Sequence, residues 1–390
     1  MRPTKRIAAV LLCAVLLFCA LSGCGDANPA DGGQSSGGLT PDGQLPELNV
    51  EKAYSSVPAD AVILTIDGKD VTWQEFFYFL NYYINYVKQS AGDNLTDWLA
   101  EVSSGRTYFD AVMSSALDQR IYMAAVEATA KEAGVYNETA AAEYADNVLA
   151  EAKASYDSEE EFNQALKDNY ETLDLFRSFA ESTYYQNAAY TALFGDRGSK
   201  LTDEDVAEQT ADENYMMAKH ILLMTVYTDE NGETITRNDA EKAEILAKAQ
   251  ELLDQLNDCP PEEFPELFDT LMKEYSEDPG SQQYFPDGYL FKEGDMVTEF
   301  YEACKSLEIG EHSGIVETSY GYHIIYRIPL NYDEVPSAYS AYKAYGYDYY
   351  TLRYITSQKM MSSILNALAG KVDCQMNEEF ADVAFINYFI

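Results

Sequence analysis

Three histidines are all that the 390 residues provide: His220, His312 and His323. Imidazole is the side chain that gains and loses a proton near neutrality, so chemistry of that kind is confined to the stretch that holds them. His220 sits in Ala218-Lys219-His220-Ile221-Leu222 and His323 in Tyr322-His323-Ile324-Ile325, apolar runs that predict strands. A histidine buried in such a run is either a proton-handling group or a structural hydrogen-bonding one, and the residues alone leave both readings open. His312 falls in a predicted turn and reads as a surface residue. Asp278, ahead of Pro279-Gly280-Ser281, is good turn chemistry and equally a candidate functional carboxylate. Of six cysteines, Cys259, Cys304 and Cys374 lie beyond the first 24 residues, which allows at most one disulfide, and their wide spacing fits no zinc template. No metal and no cofactor is expected. The formal charge of −40, without a basic patch, argues against nucleic-acid binding.

The elements that must position these groups fall into regions of different rhythm. Residues 60–211 open with the β-branched run Ala61–Ile66 and the turn Asp67-Gly68; Thr72 and Glu75 then form a capping box. Trp73, Phe76, Phe77, Leu80, Tyr83, Ile84 and Val87 recur at helical spacing, and further helical patterns cover about 108–132, 139–154, 159–169 and 173–194. Their aromatic stripes read as core. A short acidic helix at 201–209 leads on. Residues 212–330 alternate instead: a strand at 217–227, a hairpin signal at Asn231-Gly232, and a helix capped by Asn238. There follow a helix from Phe264 to Tyr275, a strand at 289–291, a helix around Phe300–Leu307, and closing strands at 314–318 and 322–328. Residues 331–390 are tyrosine-rich (Tyr339, Tyr342, Tyr345, Tyr347, Tyr349, Tyr350, Tyr354) and suggest a long helix ending at Gly370. Those tyrosines either grip unfolded chains or pack a core; both stay open.

Segments of the middle region resemble the parvulin peptidyl-prolyl isomerases: Ala218–Leu222, Glu274–Ser281, Gly294–Phe300, Leu307–Ser313 and Thr318–Ile325, in that family's order and spacing. The resemblance implies an α+β fold. In it, mostly helical N- and C-terminal regions form a composite chaperone domain, and a small parvulin domain with a four-stranded sheet and surrounding helices is inserted. It implies His220 and His323 as the paired histidines, Thr318 as their hydroxyl partner and Asp278 as the neighbouring acid, all in the catalytic site. Met296 and Phe300 would wall an open apolar proline pocket, Leu290 would supply a third wall, and Tyr320 would contact substrate. Where the family shows more glycines, this chain has Tyr284-Phe285-Pro286-Asp287-Gly288. The chemistry needs neither nucleophile nor metal: an X-Pro bond must turn over a barrier of about 18–20 kcal/mol, and the site has to favour the twisted amide. Residues 224–233 hold Asp229, Glu230 and Glu233 and no Lys or Arg, so phosphate before the proline should be disfavoured.

The start of the chain resembles a lipoprotein signal. Arg2, Lys5 and Arg6 precede an apolar run from Ile7 to Leu21, and Leu21-Ser22-Gly23-Cys24 resembles the lipobox of bacterial lipoproteins. This implies residues 1–23 as signal, an acylated Cys24 in the bilayer, and a tether to residue 59 rich in Gly, Pro, Ser and Asp. Together with the parvulin segments, the plan resembles the PrsA-type foldase lipoproteins and, more distantly, the SurA chaperones. The expectation is an extracytoplasmic enzyme, lipid-anchored to the bacterial cell membrane, whose partners are unfolded exported proteins containing proline. A monomer and a homodimer are both open. The alternatives are a holdase chaperone with an inactive parvulin domain and a lipid-anchored surface-binding protein.

Overall fold

A computed structural model describes residues 48–390, apart from 93, 94, 96, 104 and 229–231. The signal, Cys24 and most of the tether lie outside the described residues, as do Asp229 and Glu230. The fold is mixed α+β, and the chain divides into two units: a split unit (the chain up to Leu193 together with Met360–Ile390) and a central unit, Phe194–Lys359.

In the split unit, strand Val62–Ile66 turns through Asp67 and Gly68, both at positive φ (50° and 74°), into strand Lys69–Thr72. Two left-handed residues give the turn a twist that matches the paired strands. Strand Cys374–Met376 pairs antiparallel with the other edge of Val62–Ile66, so the end of the chain completes this small sheet. Thr72 and Glu75 close the expected capping box at the start of helix Trp73–Ala91. Helices Tyr108–Glu132, Glu138–Ala154, Glu159–Asp168 and Leu173–Phe194 follow. Trp73 stacks on Phe385 at 6.0 Å and Phe77 on Phe389 at 5.9 Å, so the last residues are part of this unit's aromatic core. Glu171 is an outlier in that core. It is only 5% exposed, neither carboxyl oxygen has a hydrogen-bond partner, and burial pushes its pKa up to about 8.

The central unit is built on strands β1 (Met216–Met224), β2 (Tyr289–Phe291), β3 (His312–Glu317) and β4 (Gly321–Ile328), all antiparallel, in the order β2-β1-β4-β3. Helices α1 (Asp239–Asn257), α2 (Phe264–Tyr275), α3 (Pro279–Gln283) and α4 (Thr298–Lys305) connect them. Alternation along the strands sorts two faces. Ile221, Leu223, Tyr322, Ile324 and Tyr326 pack against α1 and α2. Met216, Ala218 and Ile325 turn to the other face, against α4. The expected first strand ends at Met224, and Val226–Thr228 pairs instead with Thr234–Thr236 as a separate hairpin.

The division between units differs from the boundaries read at 211/212 and 330/331. The reason is packing: Val206 and Leu352 bury themselves with Met217 and Leu290 in one cluster. Arg353 also binds Asp203 and Asp333. Residues 331–359 therefore belong with the central sheet and 360–390 with the split unit. The tyrosines of 339–354 lie in the central unit as a partly exposed ring ladder, Tyr342 stacked on Tyr350 at 4.5 Å.

Candidate active site

β1 and β4 pair with Ile325 opposite His220 and His323 opposite Leu222, so both imidazoles rise from the face that meets α4. Their rings stack at 5.2 Å, with Nδ1 of each 3.0 Å apart, and both are buried. Beyond His323, Nε2 meets Thr318 Oγ1 at 2.8 Å, and the Tyr320 amide donates to that oxygen at 3.1 Å. Beyond His220, Nε2 meets Asp278 Oδ2 at 2.9 Å. The order Thr318–His323–His220–Asp278 is one continuous line.

Local chemistry explains each placement. Thr318 is held by its amide, which donates to the Gly321 carbonyl at 2.9 Å. A Cβ on Gly321 would sit 2.1 Å from the Leu223 carbonyl oxygen, so the turn into β4 needs glycine there. Asp278 is the N-cap of α3, accepting from the Gly280 and Ser281 amides at 3.2 and 2.9 Å. The preceding loop is tied to β1: the Glu277 amide donates to Leu222 O, and the Leu222 amide donates to Ser276 Oγ. These bonds aim Asp278 at His220.

Burial alone would raise the Asp278 carboxyl pKa, but the His220 ring, the Tyr289 hydroxyl and the Ser281 amide hold it well below the ordinary carboxylate range. An ionised carboxylate only accepts, so His220 donates through Nε2. Burial, together with the neighbouring His220, pushes His323 down to about 3, so it carries one proton at neutral pH. One assignment satisfies every group: Tyr320 N–H to Thr318, Thr318 O–H to His323 Nε2, His323 Nδ1–H to His220 Nδ1, His220 Nε2–H to Asp278. Cys304, in the cluster that holds Phe300, is buried and its thiol is pushed up to about 11, so it offers no thiolate there at neutral pH. What this arrangement offers is an oriented, water-poor line of dipoles, suited to tuning charge on an amide rather than to covalent attack.

Phe300 lies edge-on to both rings, 5.3 Å from His220 and 5.6 Å from His323, with Met296 partly buried beside it. It is 3% exposed, part of the core rather than the wall of an open pocket. Tyr320 has its side chain half in solvent. Leu290 is corrected: it pairs with Met217, is fully buried and faces Val206 and Leu352, on the side of the sheet away from the histidines. In a three-residue strand a shift of one position exchanges the faces, and Tyr289 and Phe291 are the residues turned toward the site. Tyr289 was missed by sequence reading, because nothing within Tyr289-Leu290-Phe291 says which face each residue takes and only the pairing with β1 does. His312 is half-buried on β3, its ring stacked on Phe264 at 5.0 Å, and is no free surface group. Arg237, just past the stretch read as lacking cations, lies over the Tyr227 ring and donates to the Met224 carbonyl.

Residues 204–327 match the family model described as the PPIC-type PPIase domain. Foldase protein PrsA 4 of Bacillus cereus is 29% identical over 214 residues, 46% of this chain and 69% of that one. Foldase protein PrsA of Halalkalibacterium halodurans is 41% identical over 103 residues, 25% of this chain and 28% of that one. Among solved structures, the peptidylprolyl isomerase PrsA of Bacillus anthracis is 22% identical, with 65% of this chain and 96% of that one covered and a TM-score of 0.24. The segment that carries the His220–His323 line is thus a PPIC-type peptidyl-prolyl isomerase domain, in a chain related to the PrsA foldases.

Proposed function

We propose that this protein is an extracytoplasmic foldase, anchored by an acylated Cys24, that turns X-Pro bonds in exported proteins and shields unfolded chains. The observation that carries it is the buried line Thr318–His323–His220–Asp278 under Phe300, within the segment matching the isomerase model. In this reading Met296 meets the proline side of the substrate, and Phe300, buried behind the site, supports the two imidazoles. The four polar residues set the field around the amide as its resonance is lost, and Tyr320 meets the chain at the rim. The names of the relatives, foldase proteins, support the wider role. Domain limits of 194–359 for the isomerase unit, with helical regions on either side handling clients, accompany the proposal.

The test is a pair of assays on the mature chain. It should speed the proline-limited phase of an unrelated protein, which takes tens of seconds uncatalysed, and isomerise a proline tetrapeptide. Suppression of client aggregation with no peptide isomerisation at any enzyme concentration would instead establish the holdase alternative.

The anchor has its own test. No helix among the described residues is long and apolar enough to cross a membrane, whereas two or three acyl chains, at about 0.8 kcal/mol per buried methylene, hold a protein firmly. Cys24→Ser should move the protein from the membrane fraction to the soluble one. Unchanged fractionation would remove Cys24 as the anchor.

A further inference from the structure

Tyr289 touches the histidine line, yet the family resemblance gives it no role. It enters from β2, opposite Ala218, with its ring edge-on to His220 at 5.6 Å and packed on Phe285 at 4.6 Å. Its hydroxyl donates to Asp278 Oδ2 at 2.7 Å, the same oxygen that accepts from His220 Nε2 and from the Ser281 amide. Burial, and then Asp278 itself, push the phenol far above its ordinary value, so it remains a donor at any working pH. Gly280 supplies an independent observation. Its backbone is not in the left-handed region, so its conformation does not call for glycine. A Cβ there would instead meet Tyr289 Oη at 2.1 Å. The turn after Asp278 is shaped to leave room for this hydroxyl.

We propose that Tyr289 is a positioning residue of the isomerase site: its hydroxyl pins Asp278 Oδ2 under His220 and so sets the direction of donation along His220, His323 and Thr318, while Gly280 keeps the space that the hydroxyl occupies. The inference rests on the reading that this line serves isomerisation. Without the phenol, Asp278 Oδ2 keeps only His220 and the Ser281 amide as donors, so the carboxylate under His220 is held by one bond fewer.

The experiment uses the full mature chain, a proline tetrapeptide and four variants: Tyr289→Phe, Gly280→Ala, the double variant and Asp278→Asn, each normalised to folded protein. Tyr289→Phe should lower kcat about tenfold, the scale of one hydrogen bond to a charged acceptor, with KM within about twofold because no substrate contact is lost. It should also move the acid limb of the pH profile upward, since a carboxylate that loses a donor takes up a proton more readily. Gly280→Ala alone should cost at least as much as Tyr289→Phe, yet add little in the Tyr289→Phe background, where the colliding oxygen is gone. Loss of activity with an unmoved pH profile, or equal effects of Gly280→Ala in both backgrounds, would reduce Tyr289 to packing and overturn the inference. So would wild-type kinetics of Tyr289→Phe alongside a crippled Asp278→Asn. Wild-type activity of Asp278→Asn would instead sink the reading of the line itself, a result separable from the others.

Discussion

Replacing Phe300 with alanine should lower the stability of the central unit by about 3–5 kcal/mol, the range for truncating a buried phenylalanine. For a unit of this size that is a drop on the order of 10 °C in Tm. Phe300 is 3% exposed and packs its edge against His220, His323 and Phe291. Truncation leaves a cavity over the two imidazoles, and water entering it would compete for Nδ1 and Nε2. Isomerisation per folded molecule should therefore fall together with stability, whereas a residue lining an open pocket would lose activity with little change in Tm. Phe300→Leu, which keeps most of the volume, should recover most of the stability. Melting temperature and peptide rate measured on one preparation decide the matter: an unchanged rate per folded molecule would leave Phe300 as core alone.

The two units should respond to pH in opposite directions. His323 sits at about 3 in the folded central unit against an ordinary 6.5. Between those values the unfolded state holds the extra proton, so stability is full above about 6.5 and is lost as pH falls. Asp278, also depressed, adds to the loss only at more acidic pH. Glu171 behaves in reverse: it sits at about 8 when folded against an ordinary 4.5, so its folded form keeps the proton. The split unit should be most secure below 4.5 and lose stability as pH rises toward 8. Each group contributes at most about 1.36 kcal/mol per pH unit, which is ~2 kcal/mol for His323 between pH 5 and 6.5 and ~2.7 kcal/mol for Glu171 between pH 5 and 7. Hydrogen exchange resolved by unit, corrected for intrinsic rates, should show protection of the central unit rising and that of the split unit falling across this interval. Glu171→Gln should flatten the second trend and leave the first. Parallel trends in both units would refute the assignment of these two groups.

Local signals in the sequence decided most of the elements. Thr72 with Glu75, Thr202 with Asp205 and Asn238 with Glu241 each form a capping box at the start of a helix, because a cap depends only on residues three apart. The pairing of His220 with His323, and the approach of Asp278 and Thr318, were legible because strand patterns and a family signature both marked them. Tertiary structure alone decided the rest. Leu290, Tyr289 and Phe291 are all large and apolar or aromatic, so nothing within this short run says which face each takes; pairing of Met217 with Leu290 does. Strand Cys374–Met376 carries no pattern of its own and exists because Val62–Ile66 offers it an edge. Phe300 and Glu171 have ordinary sequence contexts, and only the packing around them makes one a buried support for the histidines and the other an unpartnered carboxyl. Caps and turns are written in neighbouring residues, whereas face, burial and the pKa values that follow from them depend on what distant segments bring to the same place.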